Sequence, residues 1–310
     1  MISVIICTYN PEIRLIKRAI KSVLAQKTSL EYELIIVDNN SSNDFSNNSE
    51  IKSLIDYKTK IICECKQGLV FARITGVLNS KFEIIVFVDD DNELSSDYIN
   101  GVSLLFQKYS KVKIWGAGNI NVDFIEGTEN WVKKYMMDFY QKRQFTEDLF
   151  GNKEGWTQFY PVGSGMAIEK KSFQLYLDSY SSGQISATGR KGDSLASGED
   201  SQIIWTIIKS GYFVGSSPLL KLVHIIPKKR TSFSYLKRLN FNLSYSFYNS
   251  FYEVFNRDLN ETEVVNCKSY ILLFFGALRA AKLNFYDVFK IYRIRKKWFD
   301  GYRTFLKQIK

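Results

Sequence analysis

The chain opens on an apolar, β-branched run, Ser3-Val4-Ile5-Ile6-Cys7, then a polar turn, Thr8-Tyr9-Asn10-Pro11, then apolar residues at Ile13, Ile16, Ile20, Val23 and Leu24 separated by Arg14, Lys17, Arg18 and Lys21. The first pattern predicts a strand buried on both faces and the second an amphipathic helix. Asn10 is placed to cap that helix and Pro11 to take its first position. The unit then recurs. Leu34 to Val37 and Lys60 to Cys65 predict strands, Leu69, Ala72, Arg73, Gly76 and Val77 lie in a helix, and Ile84 to Val88 predict the next strand. Strands alternating with helices in this way make a right-handed, mostly parallel α/β sheet flanked by helices.

From Val112 the rhythm changes. Ile114 to Ile120 and Phe159 to Ile168 predict strands, the second passing through Pro161-Val162-Gly163-Ser164-Gly165, with an aromatic helix from Trp131 to Arg143 between them. Ser179 to Ser197, rich in Ser and Gly, predicts a loop. It delivers the chain to Gly198-Glu199-Asp200 and an apolar helix with Ile203, Ile204, Ile207 and Ile208. Phe213 to Leu220 and Val223 to Ile226 follow, and Phe233 to Phe255 and Tyr270 to Phe299 predict two long helices.

Chemistry concentrates where the apolar run Ile84-Ile85-Val86-Phe87-Val88 meets Asp89-Asp90-Asp91-Asn92. Three adjacent carboxylates repel one another, more strongly at the mouth of a hydrophobic strand than in open water, so a cation belongs beside them. Hard oxygen ligands at this density suit Mn²⁺ or Mg²⁺, which completes its shell with water and substrate phosphates. Ligands of open α/β sheets bind outside the carboxyl ends of strands, where this triplet falls. A solvated acidic turn is the alternative reading. Asp38-Asn39-Asn40 forms a second polar cluster at a strand end.

Composition adds a charge asymmetry. Residues 221 to 310 hold 18 of the 42 Lys and Arg but only 6 of the 32 Asp and Glu, so the formal charge of +10 belongs to the C-terminal segment. Its natural partners are anionic lipid or nucleic acid. Cys7, Cys63, Cys65 and Cys267 have no zinc spacing and are expected to be reduced packing residues. No charged, apolar leader pattern opens the sequence and no apolar run is long enough to span a bilayer, so the expected location is cytoplasmic, or the inner face of the cell membrane.

Ser3 to Asn10, Ile35-Ile36-Val37-Asp38-Asn39-Asn40-Ser41, Gly68-Leu69 with Ala72-Arg73 and Gly76, Phe87-Val88-Asp89-Asp90-Asp91, and Gly198-Glu199-Asp200 stand in the order of a known family. Together they resemble a family 2 glycosyltransferase of the GT-A fold, over residues 2 to about 205. The resemblance implies a catalytic domain over 1–230, with a nucleotide-binding half (1–110) and an acceptor-binding half (111–230), and a helical extension over 231–310. It implies a nucleoside diphosphate sugar donor, a UDP-sugar, and a divalent metal that neutralises the leaving diphosphate. Asp91 would ligate the metal and Asp90 would act through metal or ribose, with Asp89 adjoining. Asp38 would accept from the base, Thr8, Tyr9 and Asn10 would line the base and ribose pocket, and Arg73 would lie near base or phosphates. Asp200 would be the general base, with Glu199 beside it to raise its pKa or bind acceptor. His224, the single histidine, sits in an apolar strand where a core role is ordinary, and the resemblance offers a metal or diphosphate contact instead. Lys228, Lys229 and Arg230 would grip the diphosphate or begin the basic surface.

The Gln-x-x-Arg-Trp element of processive synthases is missing, which favours addition of one sugar over polymerisation; the resemblance implies transfer by inversion, to a glycan or lipid-linked glycan. Tyr235, Phe241, Tyr245, Phe247, Tyr248, Phe251, Tyr252 and Phe255, with Lys237 and Arg238, suit a helix lying in a membrane interface, or one packed on the catalytic domain or on a second copy of the chain. Peripheral membrane association and a homo-oligomer therefore both stand as expectations. A sugar nucleotidyltransferase would want a glycine-rich basic loop after the first strand, and a dehydrogenase a G-x-G-x-x-G; neither is present. A nucleic-acid-binding protein would leave the acidic strand ends unexplained, so no nucleic-acid partner is expected.

Overall fold

The computed structural model describes residues 1–43, 45–187, 189–192, 194–258, 267–281 and 284–309, with the side chains of residues 46, 267 and 268 outside that description, so the role expected of Cys267 lies outside the described residues. Its strands are β1 (Ile2–Thr8), β2 (Tyr32–Asp38), β3 (Thr59–Cys63), β4 (Ile84–Asp89), β5 (Asn92–Leu94), β6 (Val112–Phe124), β7 (Arg143–Gln144), β8 (Leu149–Gly151), β9 (Ala167–Glu169) and β10 (Phe213–Ile226). Its helices are α1 (Ile13–Leu24), α2 (Ser49–Lys52), α3 (Leu69–Leu78), α4 (Tyr98–Lys108), α5 (Asn130–Tyr135), α6 (Lys170–Ser181), α7 (Glu199–Lys209), α8 (Phe233–Phe255), α9 (Cys267–Ala280) and α10 (Phe285–Ile309).

The strands form one mixed sheet in the order β3-β2-β1-β4-β9-β6-β10-β5, with β7 on β6 and β8 on β10. β1, β2, β3 and β4 run parallel, and β9 runs antiparallel to both β4 and β6. The period of two within each buried strand separates the two cores. Val4, Ile6, Leu34, Ile36, Val86 and Val88 face α1, whereas Ile5, Ile35, Val37, Ile85 and Phe87 face α3 and α7. Gly76 lets α3 sit close on this layer, since a Cβ there would lie 2.5 Å from the Ile5 side chain.

The chain leaves β1 towards β2 on one side, and β4 pairs on the other, so the carboxyl ends of β1 and β4 lie at a reversal of strand order, where open sheets bind ligands. Cys7 pairs with Asp89 there. β10 supplies the second wall. Its last residues pair antiparallel with β5, His224 opposite Asn92, and the Ile225 amide donates to the Asp91 carbonyl at 2.8 Å.

Several expectations need correction. α1 begins at Ile13 after Glu12, and Asn10, at φ 47°, is a left-handed turn residue rather than the cap. The predicted strand from Phe159 is regular only over Ala167–Glu169, because residues 159–165 give their backbone carbonyls to side chains: Ser216 and Arg143 donate to Phe159 and Tyr160, and Tyr98 to Gly165. The helix expected to reach Arg143 stops at Tyr135, and a 3-10 turn over Met137–Tyr140 follows. Phe213 to Ile226 is one strand, its register shifting between Ser217 and Lys221 around Pro218, as a proline inside a sheet requires. The last predicted helix is two, α9 and α10. Cys63 and Cys65 are exposed, not packed.

The aromatic face of α8 is turned inward. Trp205 of α7 meets Phe247 and Phe251 at 5.1 and 5.2 Å between ring centroids, and Tyr302 of α10 meets Tyr248 at 4.2 Å. Small residues allow this: Ser244, Ser246 and Ser250 are buried on α8, and a Cβ on Gly301 would lie 2.5 Å from the Phe241 carbonyl. Of the alternatives for α8, packing within the chain, against α7 and α10, is the one observed. Among the described residues no helix is long and apolar enough to cross a membrane.

Candidate functional site

A cleft of about 790 Å³ opens at the carboxyl ends of β1 and β4. Thr8, Tyr9, Asn10, the three aspartates and His224 all line it. The polar turn after β1 is shaped by its asparagine: the Asn10 amide donates to Ser41 Oγ and its Oδ1 accepts from the Ser42 amide, both at 2.8 Å. Asp38 is buried beside this turn and accepts from the Ser41 amide at 3.0 Å. Its neighbour Asn39, which does line the cleft, donates to the Glu64 and Lys66 carbonyls and accepts from the Gly68 amide, pinning the start of α3.

Each aspartate of the triplet has its own partner, which is how the fold tolerates three adjacent carboxylates. Thr8 Oγ1 donates to Asp90 Oδ2 at 2.5 Å. Ser164 donates to Asp89 Oδ2 at 2.7 Å, and Arg73 stands 3.9 Å from its other oxygen. Asp91 Oδ2 is bound by Arg230, and its Oδ1 accepts from Asn92 at 3.0 Å. Burial, and then the charge of Asp91, push the Asp90 carboxyl up to about 6. Burial acts the same way on Asp91, but Arg230, followed by His224, outweighs it and holds that carboxyl well below the usual range. The cations demanded by the sequence thus include two arginines, Arg73 from the preceding helix and Arg230 from 139 residues beyond Asp91.

His224 is fixed by a bond the sequence does not announce. Its Nδ1–H donates to the Tyr140 carbonyl at 3.0 Å, which turns Nε2 towards Asp91, 3.8 Å from Oδ2. A backbone carbonyl behind one ring nitrogen is the usual support of a metal-binding histidine. Among the described residues no three His, Cys, Asp or Glu side chains are grouped to hold a metal by themselves. Asp91 and His224 are nonetheless a donor set that fits a divalent ion completing its shell with phosphate oxygens and water, and the imidazole favours Mn²⁺ over oxygen-loving Mg²⁺.

Arg73, Glu199 and Asp200 stand together beside the cleft rather than in its wall. The Arg73 guanidinium, buried at 3% exposure, binds Asp200 Oδ1 directly and lies 3.6 Å from Glu199, so the structure places it on the carboxylates. Glu199 is buried, with Oε2 lacking a hydrogen-bond partner, and burial followed by the Asp200 charge pushes its carboxyl up to about 7. Asp200 keeps 30% of its side chain exposed. Its Oδ2 rests on the bare face of Gly163, where a Cβ would come within 2.1 Å. Gly163→Ala is therefore expected to displace the Asp200 carboxylate and lower kcat by about 10²-fold with little change in donor Kd, measurable by turnover assay beside calorimetry.

Of the basic triplet, Arg230 alone reaches the aspartates, while Lys229 pairs with Glu12 at 2.6 Å and the Lys228 amide donates to Glu126. Arg190 was not singled out by the sequence. It lines the cleft from the Ser/Gly-rich loop, its carbonyl accepting from the Leu69 amide at 3.2 Å, and the only signal was a basic pair, Arg190-Lys191, inside a stretch of small residues. Tyr235 and Arg238 of α8 complete that rim.

The Glycosyl transferase family 2 model matches residues 3–176, and the chain belongs to this family. The GalNAc(5)-diNAcBac-PP-undecaprenol beta-1,3-glucosyltransferase of Campylobacter jejuni is 26% identical over 204 residues, covering 56% of this chain and 64% of that protein. An uncharacterised glycosyltransferase of Nostoc sp. is 28% identical over 173 residues, covering 55% of this chain and 51% of that one. The chain thus matches between half and two thirds of the length of these curated relatives. The crystal structure of GalNAc-T7 with UDP, GalNAc and Mn²⁺ covers 100% of this chain, and this chain 56% of it, at TM-score 0.53 and 15% identity. The fold is that of the GT-A glycosyltransferases.

Proposed function

We propose that this glycosyltransferase moves one sugar from a UDP-sugar to a hydroxyl of a glycan or lipid-linked glycan, with inversion and with a divalent metal in the donor site. The observation that carries this reading is the convergence of Asp91, His224 Nε2 and the Arg230 guanidinium in one cleft at the ends of β1 and β4. Asp91 and His224 would hold the ion, whose chemistry is to neutralise charge developing on the leaving diphosphate. Thr8, Tyr9 and Asn10 would bind nucleoside, with Asp38 holding their turn and Asp90 close to the ribose. Arg230 and Arg190 would add positive charge around the diphosphate. Asp200 would take the proton from the acceptor hydroxyl, oriented by Arg73 and Gly163. The lipid-linked acceptor finds support in the Campylobacter relative, whose name specifies an undecaprenol diphosphate substrate, and the metal and UDP in the ligands of the GalNAc-T7 structure.

The test is calorimetric titration of UDP, with GDP and dTDP as controls, in Mn²⁺ and in EDTA, on the native chain and on Asp91→Ala. UDP binding that requires Mn²⁺ and weakens by about 10- to 100-fold in the variant is expected. Folded protein that binds no nucleoside diphosphate with metal present would overturn the reading.

A further inference from the structure

α9 and α10 pack on each other and on the catalytic layer through one face only. Ala277, Ala281, Val288, Ile291 and Ile294 turn inward onto Trp131, Tyr140 and Leu236. Phe274 meets Tyr292 edge-on at 5.7 Å, tying the pair together. The opposite face is apolar and open: Ile271, Leu272 and Phe275 on α9 and Phe285, Tyr286 and Phe289 on α10 are all more than half exposed, Phe285 at 77%. Single exposed apolar residues are ordinary, but six on two adjoining helices make a patch that marks an interaction surface.

The patch continues into charge. Along α10 the exposed positions Phe285, Phe289, Arg293, Lys296, Arg303 and Lys307 recur at helical spacing on a single stripe, apolar at its start and basic after it. Arg293 stacks on Phe289 at 5.1 Å, at the junction of the two halves. Arg279 is exposed at the end of α9 near the apolar half. The one acid set within the stripe, Asp300, is already bound by Lys297 at 2.8 Å.

We propose that the outer face of α9 and α10 is a seat on an anionic lipid bilayer, with the exposed apolar side chains of both helices entering the interface and the basic stripe of α10 lying along the headgroups. Charge complementarity selects this occupant. A second copy packed two-fold over the full length of this face would bury the basic stripes of both copies in one interface whose one stripe acid, Asp300, is already bound by Lys297. A nucleic acid would meet the cations but leave Ile271 and Leu272 facing water. Aromatic and aliphatic side chains beside Lys and Arg match the interfacial region of a membrane, where apolar burial and anionic headgroups act together. The inner face of this pair shares an apolar cluster with Tyr140, whose carbonyl fixes His224. Delivery of a lipid-linked acceptor to the cleft rests on the function proposed above, whereas the docking does not.

The experiment uses the full chain with vesicles of phosphatidylcholine alone or mixed with phosphatidylglycerol. Co-sedimentation is expected to favour the anionic vesicles by at least about tenfold and to weaken with salt. Leu272→Ser with Phe275→Ser, and separately Arg293→Gln with Lys296→Gln, should each reduce binding by about tenfold while UDP affinity is retained. Hydrogen exchange on the native chain needs no variant: vesicles should protect peptides within 269–281 and 284–296. Equal partition onto both vesicles, or protection elsewhere in the chain, would overturn the proposal. So would self-association that protects these helices without lipid, which would assign the face to a second copy. UDP binding measured alongside separates failure of docking from failure of the transferase reading.

Discussion

Asp200→Asn is expected to lower kcat by about 10²- to 10⁴-fold while the Kd for UDP in Mn²⁺ stays unchanged. An amide keeps the shape of the carboxylate and an oxygen for Arg73, so the fold loses little. What it cannot do is accept a proton from a sugar hydroxyl, and that hydroxyl is too weakly acidic to attack the anomeric carbon unaided. Position supports the assignment. Asp200 opens α7, its Oδ1 is held by Arg73, its Oδ2 rests on Gly163, and it is partly exposed beside Ser164, which lines the cleft. Glu199 is poorly suited to the same role, since it is 3% exposed and has no route to solvent comparable to that of Asp200. UDP release with and without acceptor glycan, on native chain and variant, measures the effect. A variant with undiminished kcat would move the base to another group, and Glu199→Gln would be the next substitution to assay.

What could be read from the sequence was local. β1, β2 and β4 are continuous β-branched runs, and Asp89 to Asp91 follow β4 without a gap, so both strand and acid cluster show in a few residues. The partners of that cluster do not. Arg73 lies on α3, before the cluster, and Arg230 follows Asp91 by 139 residues, so only the pairing of β10 with β5 brings His224 and Arg230 to Asp91. β5 is three residues, Asn92-Glu93-Leu94, too short for any period to declare itself. The aromatic content of α8 was equally uninformative about its surroundings. A membrane interface and a helix-helix core call for the same Phe and Tyr, and the difference lies in Trp205 and Tyr302, which belong to other helices. The face left open is on α9 and α10, where the sequence reading had drawn a single helix.

Arg73→Met should destabilise the protein by about 3–5 kcal/mol, the cost of leaving buried carboxylates without their counter-charge. Methionine keeps much of the apolar volume over the Phe87 ring, which the guanidinium meets at 5.2 Å, so lost packing accounts for little of this. The carboxylates abandoned are Asp89, Glu199 and Asp200. The deficit should depend on pH with a definite sign. In the native chain Glu199 is pushed from an ordinary 4.5 up to about 7, by burial first and Asp200 second, against the opposing pull of Arg73. A carboxyl raised by folding stabilises the folded chain fully below its unfolded value, and that contribution is lost as the pH rises through the folded one. Removing Arg73 raises Glu199 further and extends the loss to higher pH, and Asp89, also raised by burial, moves the same way. The variant's deficit should therefore be smaller near pH 4.5, where Glu199 is largely protonated, and greatest above about 7. Denaturant titrations of both proteins across that range give the curve, and adding Glu199→Gln should recover part of the loss at high pH. A deficit that is the same at every pH would mean that Arg73 serves this fold as packing rather than as charge.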